Sequence, residues 1–519
     1  MNSCLRAAPV GPLSGRGVKP TSAECFNADM PRDLLVSTLD ALCVDLAHRC
    51  GDRVALLDGC QEITYGELTD QALRVAAVLA DSGVRPGARV VLSGRNTTDW
   101  VCIALGILCA GATVVPVGHG VSGPEYSRIL DVTEPALVVD QPRIADIMAA
   151  ARTTAPHPDR PAAGPDDIAV ILSTSGSTGV SKQVPMTHGQ LSRLYSAVAD
   201  RLELTSADRV IGAVPFAHSF GFNGVLLTAM CAGASVRVVE HYDRADLADV
   251  IVRDRVSVVM GPPTILFDLV GSGRDDIGLV CRMAVSGGSE VPLDRMRGAC
   301  RELGIVNMVV GYGLTEACGT VAMGSITEGE SGSLAMLTPV DGLEIRIVDD
   351  YGYPLPPDED GHVLCSGYNI MHGYLRGVDD PESTPDDAVD GDGWLRTGDI
   401  GWSDDDGHLY IVSRAKDTVI VSGFNVYPQE VETVLMDHPL ILEVAVIGVA
   451  DQRQGQRLVA CIIPVHGYSV DSEDLIDFCK ERLSAYKVPR IFVELEMFPT
   501  THTGKRSREE LRKQVSQRL

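Results

Sequence analysis

Positive charge is scarce in this 519-residue chain. Lys and Arg number 44 against 70 Asp and Glu, a formal net charge of −26. Such a chain repels polyphosphate backbones, which argues against nucleic-acid partners and binding to anionic membranes. No CxxC pair occurs among the 14 cysteines, so a zinc ribbon or a thioredoxin-like site has no support. The thiols read instead as reduced and buried in a cytoplasmic protein. The first thirty residues hold no apolar run of signal-peptide length. Residues 1–33 read as a disordered extension, with Met30 as an alternative translation start. The most apolar stretch, Val101 to Val117, is interrupted by Gly106, Gly111 and Pro116. It reads as a buried helix running into a buried strand rather than a membrane span. The remainder is ordinary globular usage, 45% hydrophobic and 22% charged, at a length suited to a large enzyme of one to three domains.

Strand and helix patterns alternate along the chain. Residues 62–70 read as a short strand and a helix start, and 86–94 as a turn and a buried strand. Trp100 to Ala110 reads as an apolar helix and 112–118 as the next strand. That order implies a parallel α/β sheet. A Pro-rich linker at 153–167 precedes further strands at 168–174, 208–215, 234–240, 256–261 and 306–313. From Gly342 short strands with Gly and Asp turns take over, and a break falls near Arg414. The expected fold class is α/β, with a large N-terminal domain of α/β subdomains over 34–414 and a small C-terminal α+β domain over 415–519. From Lys480 to Leu519 ten Lys and Arg stand against five Glu. A solvated terminal helix explains part of that surplus, and a surface meeting a phosphate-bearing ligand is the alternative.

Four segments carry candidate chemistry. Thr174, Ser175, Gly176, Ser177, Thr178 and Gly179 follow a strand and lead to Lys182. Glycines let backbone N–H groups approach an anion, hydroxyls add donors, and the lysine adds a fixed charge. The spacing is not that of a Walker P-loop. Gly311, Tyr312, Gly313, Leu314, Thr315 and Glu316 follow an apolar strand and offer a stacking face, a hydroxyl and a hard carboxylate suited to Mg²⁺. Asp399 stands in a Gly-bounded turn, where an acidic residue can accept from a ribose diol. Lys505 lies on a polar loop near the end. Taken singly, the last three are as well explained by a capped turn or a solvated loop, while the strand before the first loop and its closing lysine favour anion binding over a flexible surface loop.

Their order and spacing together resemble the adenylate-forming superfamily of acyl-CoA synthetases, adenylation domains and beetle luciferases, over about residues 34–515. The motifs PFAHSFG (215–221), SGGSEVP (286–292), GYGLTE (311–316), RTGD (396–399), SRAKDTVIVSGFNVYPQEVE (413–432), AYKVP (485–489) and TGK (503–505) occur in the family's order. The resemblance implies that a carboxylic acid and Mg·ATP form an acyl-adenylate, from which a thiol displaces AMP. It implies that Thr174 to Gly179 with Lys182 hold the β- and γ-phosphates. Gly288, Ser289 and Glu290 would border the adenine and Tyr312 stack on it. Thr315 would meet the α-phosphate, Glu316 the Mg²⁺, and Asp399 the ribose, with Arg414 assisting. Lys505 would bridge the carboxylate and the α-phosphate. Lys416 matches the hinge about which the small domain rotates, bringing Ser422 and Gly423 to a thiol tunnel. His218 would border the acyl carbonyl, in a pocket with Phe220, Phe222, Asn223, Gly224, Met260, Gly261 and Gly287, and with Gly311 and Gly313 nearby.

Three departures from the family pattern, Ser181, Ser413 and His502, remove no charged group with an assigned role. A relaxed nucleophile elbow at Ser219 is a hydrolase alternative, but Pro215 interrupts its strand. A scaffold that binds nucleotide without turnover is another, opposed by the retention of Lys182, Glu316, Asp399, Arg414 and Lys505. No Asp-Ser-Leu phosphopantetheine attachment motif occurs, and no carrier domain is expected after the Lys505 loop. The stretch 226–243 has no carboxylate before Glu240 to hold an α-amine, which favours a non-amino acid. The expected thiol is CoA, with a carrier protein loaded in trans as the alternative and luciferase-like oxidation of the adenylate as a third. The pocket composition suits a medium-chain, aryl or cyclic carboxylate. Arg237 is either a surface ion-pair partner or a contact for a second carboxylate.

Overall fold

Hydroxyl and amide caps set the helix starts. Thr64 accepts from the backbone N–H of Glu67, whose side chain returns to the Thr64 backbone, and this reciprocal cap opens the helix Tyr65–Asp81. Thr187 and Gln190 form the same device at the helix His188–Arg201. The computed structural model describes residues 36–59, 61–156, 163–174, 181–288, 291, 293–326, 334–376, 388–451, 453–499 and 507–518. The expected extension 1–33, with Met30, lies outside the described residues.

The apolar stretch from Val101 divides as the sequence implies. Its helix, Thr98–Cys109, is buried along its length, and the strand Thr113–Gly118 follows. Gly106 allows the close approach of the helix Tyr65–Asp81, because a Cβ there would stand 2.4 Å from Val75 Cγ1. Pro116 is tolerated inside the strand because pairing to the strand Ile168–Thr174 is confined to Val114↔Val170. Among the described residues no helix is long and apolar enough to cross a membrane.

Two sheets carry the large α/β region. One has five strands in the order Leu137–Val139, Arg89–Gly94, Thr113–Gly118, Ile168–Thr174, Lys182–Thr187, the last antiparallel. The other has nine. Its parallel heart runs Asn307–Tyr312, Met283–Gly287, Val258–Gly261, Arg209–Gly212, Ser235–Val238, Val54–Asp58. Antiparallel strands flank it on both sides. The two sheets share the largest apolar core with the helices Tyr65–Asp81, Thr98–Cys109 and His188–Arg201.

From Leu343 to Arg414 a four-stranded antiparallel sheet follows. The chain then passes a single 3-10 turn, Ala415–Asp417. Beyond it lies a five-stranded sheet with the helices Pro428–Met436, Ser472–Lys480 and Arg508–Ser516 and cores of its own. Large α/β and small α+β regions thus match the expected class. The basic surplus near the end is largely paired: Lys487 with Glu430, Arg508 with Glu432, Arg512 with Asp417 and Lys513 with Glu509.

Candidate active site

The site forms where two neighbouring parallel strands end. Met283–Gly287 and Asn307–Tyr312 run in register, Gly287 opposite Gly311. Ligands of open α/β sheets commonly bind beyond such carboxyl ends. Glycine is required at 287, since a Cβ would meet the Gly311 carbonyl oxygen at 2.4 Å. Gly288 then turns with φ +72°, a conformation that disfavours side chains. The cavity there has a volume of roughly 390 Å³.

Sequence-distant groups converge on it. Tyr312 donates its hydroxyl to Asp399 Oδ2 at 2.6 Å, and Arg414 Nε lies 2.7 Å from Asp399 Oδ1. Asp399 is 2% exposed. Burial pushes its carboxyl up, opposed by the Arg414 guanidinium and the Tyr312 hydroxyl. The same burial, with Asp399 alongside, raises the Tyr312 phenol well above its usual range. The carboxylate is therefore held in a dry, oriented place, ready to accept from polar ligand groups.

Gly288, Gly311, Gly313, Leu314 and Thr315 line the cavity with Glu316. Glu316 sits in a single 3-10 turn, Thr315–Ala317, and accepts the Tyr374 hydroxyl on Oε1 at 2.8 Å. One carboxylate facing a cavity is sufficient protein ligation for Mg²⁺, which takes one or two carboxylates plus substrate phosphates. Thr174 also lines the cavity. It pairs across a hairpin with Lys182, so the Ser/Thr/Gly loop joins two antiparallel strands. Ser175, Gly176, Ser177, Thr178 and Gly179 lie outside the described residues, as do Ser289, Glu290, His502 and Lys505.

His218 and Phe220 border the cavity ahead of a π-helix, Phe220–Leu227. His218 Nδ1 accepts the Phe220 backbone N–H at 3.2 Å, so the neutral ring carries its proton on Nε2. π-Helical turns are uncommon and concentrate at functional sites. This one corrects the pocket inferred from sequence. Phe220 and Gly224, four residues apart, face the cavity. Phe222 is turned into the core against Trp100, ring centroids 6.1 Å apart. Asn223 is buried as well, its amide donating to the Cys318 carbonyl at 3.1 Å. Gly261 also faces away, toward Ile265 and Val214. Its neighbour Met260, also expected in the wall, does line the cavity, because adjacent strand residues face opposite sides.

Other expected positions lie apart from the cavity lining. Ser422 and Gly423, φ +52° and +87°, form an exposed two-residue hairpin turn between Val419–Val421 and Phe424–Val426. Lys416 lies in the turn Ala415–Asp417, next to an Asp417–Arg512 ion pair of 2.8 Å. Arg237 pairs with Asp254, as the ion-pair reading expects, but the pair is buried rather than at the surface. Ser219, by contrast, does line the cavity, but with ordinary right-handed helical angles, φ −54° and ψ −40°. It lacks the strained turn of a nucleophile elbow.

Several lining residues had no distinctive sequence signal. Tyr195, Val198 and Leu202 present one stripe of a helix to the cavity, a spacing that core residues share. Asp417, Gln429 and Arg508 reach it from the C-terminal third. Tyr374, which is not a lining residue but donates to Glu316, stands in an ordinary Gly-containing loop.

The AMP-binding enzyme family matches residues 44–375, and the AMP-binding enzyme C-terminal domain matches residues 430–505. The chain belongs to this family. It is 33% identical over 513 residues to a methyl-dioxo-octahydro-indenyl-propanoyl:CoA ligase of Rhodococcus jostii, covering 90% of this chain and 97% of that one. The ATP-bound MatB of Rhodopseudomonas palustris superposes with a TM-score of 0.83 at 27% identity, covering 91% and 98% of the two chains. The O-succinylbenzoate coenzyme A synthetase of Bacillus subtilis, in complex with ATP and magnesium ion, gives 0.79 at 28% identity, covering 92% and 99%.

Proposed function

We propose that this protein is an AMP-forming acid–CoA ligase for a monocarboxylic acid with an uncharged, largely apolar body. The observation that carries the acid class is the charge inventory of the cavity. Among the described lining residues the permanently cationic side chains are Arg414 and Arg508. Arg414 is paired with Asp399 and Arg508 with Glu432. Neither is left for a second carboxylate. Tyr195, Phe220, Met260 and Met323 supply an apolar wall. The cyclic acid named for the Rhodococcus relative is of the same general kind.

In the first half-reaction the acid's carboxylate attacks the α-phosphorus of ATP and pyrophosphate leaves. A carboxylate is a nucleophile at neutral pH, so orientation and charge neutralisation supply the catalysis. Asp399 holds the ribose hydroxyls, with Arg414 fixing its orientation. Tyr312 and Gly288 border the adenine, together with Ser289 and Glu290. Thr315 donates at the α-phosphate, and Thr174 to Gly179 with Lys182 take the outer phosphates. Glu316 would hold the Mg²⁺ that enters with ATP, which supplies neutralisation of phosphate charge. Lys505 bridges carboxylate and α-phosphate. In the second half-reaction the CoA thiol attacks the acyl carbonyl beside His218 and AMP departs. The segment 415–519 turns about Lys416 between the two, exchanging Lys505 for the Ser422–Gly423 turn. A cytoplasmic location accords with the lack of disulfides among the described residues.

Pyrophosphate release with Mg·ATP, across matched mono- and dicarboxylic acids with and without CoA, tests this reading. Turnover with a cyclic or aryl monocarboxylate that requires CoA supports it. Preference for the dicarboxylate overturns the acid class. An adenylate retained despite CoA points to a carrier protein in trans.

A further inference from the structure

We infer that Tyr374 is a positioning residue that couples the two phosphate-facing groups Lys182 and Glu316, an inference that rests on the nucleotide-site reading above. Its hydroxyl donates to Glu316 Oε1 at 2.8 Å. The Lys182 ammonium lies 4.2 Å from the centroid of its ring. One side chain thus touches both groups, which are 134 residues apart in the chain (316 − 182).

The backbone around Tyr374 is fastened at both ends to those partners. Met371 N–H donates to the Glu316 carbonyl at 2.9 Å, and Leu375 N–H to the Gln183 carbonyl at 2.8 Å. Gln183 directly follows Lys182 and is buried. Asn369 adds donations to the carbonyls of Ala317 at 2.9 Å and Thr320 at 3.0 Å. The segment 369–375 therefore bridges the turn that carries Glu316 and the strand that carries Lys182.

Each contact has a separate consequence. A charge-assisted hydrogen bond on Oε1 fixes the carboxylate plane and leaves Oε2 to face a cation. The ring parks an exposed, flexible ammonium beside the phosphate loop before nucleotide arrives, reducing the freedom it loses on binding. The hydroxyl thus acts on metal-complexed nucleotide and the ring on nucleotide of either form.

Calorimetric titration with ATP, in Mg²⁺ and separately in EDTA, distinguishes these roles. Tyr374→Phe should weaken Mg·ATP binding about ten-fold, the scale of a hydrogen bond to a charged group, and leave metal-free ATP within about two-fold. Tyr374→Leu should in addition weaken metal-free ATP by about two- to five-fold. In a Glu316→Gln background the Tyr374→Phe change should add little, since its partner charge is gone. Equal losses in Mg²⁺ and EDTA, no loss in either, or an undiminished effect in Glu316→Gln would each overturn the coupling. Failure of the wild-type protein to bind Mg·ATP would instead overturn the nucleotide-site reading.

Discussion

Replacing Asp399 tests the nucleotide site at its most buried charge. The carboxylate is 2% exposed and is oriented by Tyr312 at 2.6 Å and Arg414 at 2.7 Å. A hydrogen bond to a charged acceptor contributes about 1.5–3 kcal/mol. At the lower end, removing the ribose 2′-hydroxyl should cost wild-type protein about ten-fold in kcat/KM for the nucleotide. Asp399→Ala forfeits both hydroxyl contacts, about 3 kcal/mol or 10²-fold with ATP. The ratio between ATP and 2′-deoxyATP should also collapse toward one, while KM for the acid stays within about two-fold. Asp399→Asn is the control for folding, because it keeps the volume and can still accept from Tyr312. ATP–pyrophosphate exchange with each nucleotide measures these quantities. An Asp399→Ala protein that still prefers ATP over 2′-deoxyATP as strongly as wild type would refute the ribose assignment.

Four further substitutions probe other parts of the account. Lys505→Ala should lower adenylation by about 10²–10³, the loss expected for one preorganised transition-state donor. It should spare thioester formation from supplied acyl-adenylate, measured by rapid quench. Lys416→Pro restricts the turn through which the chain passes between sheets. It should slow thioester formation more than adenylation, and equal loss in both half-reactions counts against the hinge. Phe222→Ala should destabilise by about 3–5 kcal/mol in urea unfolding, because the ring is fully buried against Trp100. Phe220→Ala should act mainly on the KM for the acid.

The architecture was legible where local signals agree with tertiary placement. Alternating apolar strands and helices announced the parallel sheets, and Gly106 and Pro116 distinguished a buried helix and strand from a membrane span. The groups at strand ends, Gly287, Gly311 and Tyr312, were legible because glycine beside an apolar strand has a backbone reason. The acyl wall was less so. Phe222 and Asn223 turn inward although Phe220 and Gly224, one helical turn apart, face the cavity. Of the expected neighbours Met260 and Gly261 only Met260 lines the cavity, since one step along a strand reverses the face. Tyr195 reaches the Cys318 carbonyl, and Tyr374 reaches Lys182 and Glu316, across long stretches of chain. Such contacts depend on how sheets and loops meet, which periodicity does not encode.

The central claim is that the acid's own oxygen attacks the α-phosphorus of ATP. Turnover with an acid labelled with oxygen-18 in its carboxylate, followed by mass analysis of the nucleotide, tests it directly. The account predicts one labelled oxygen in the phosphate of AMP and none in pyrophosphate. Release of unlabelled ADP, with the label in inorganic phosphate, would show an acyl-phosphate route and contradict it.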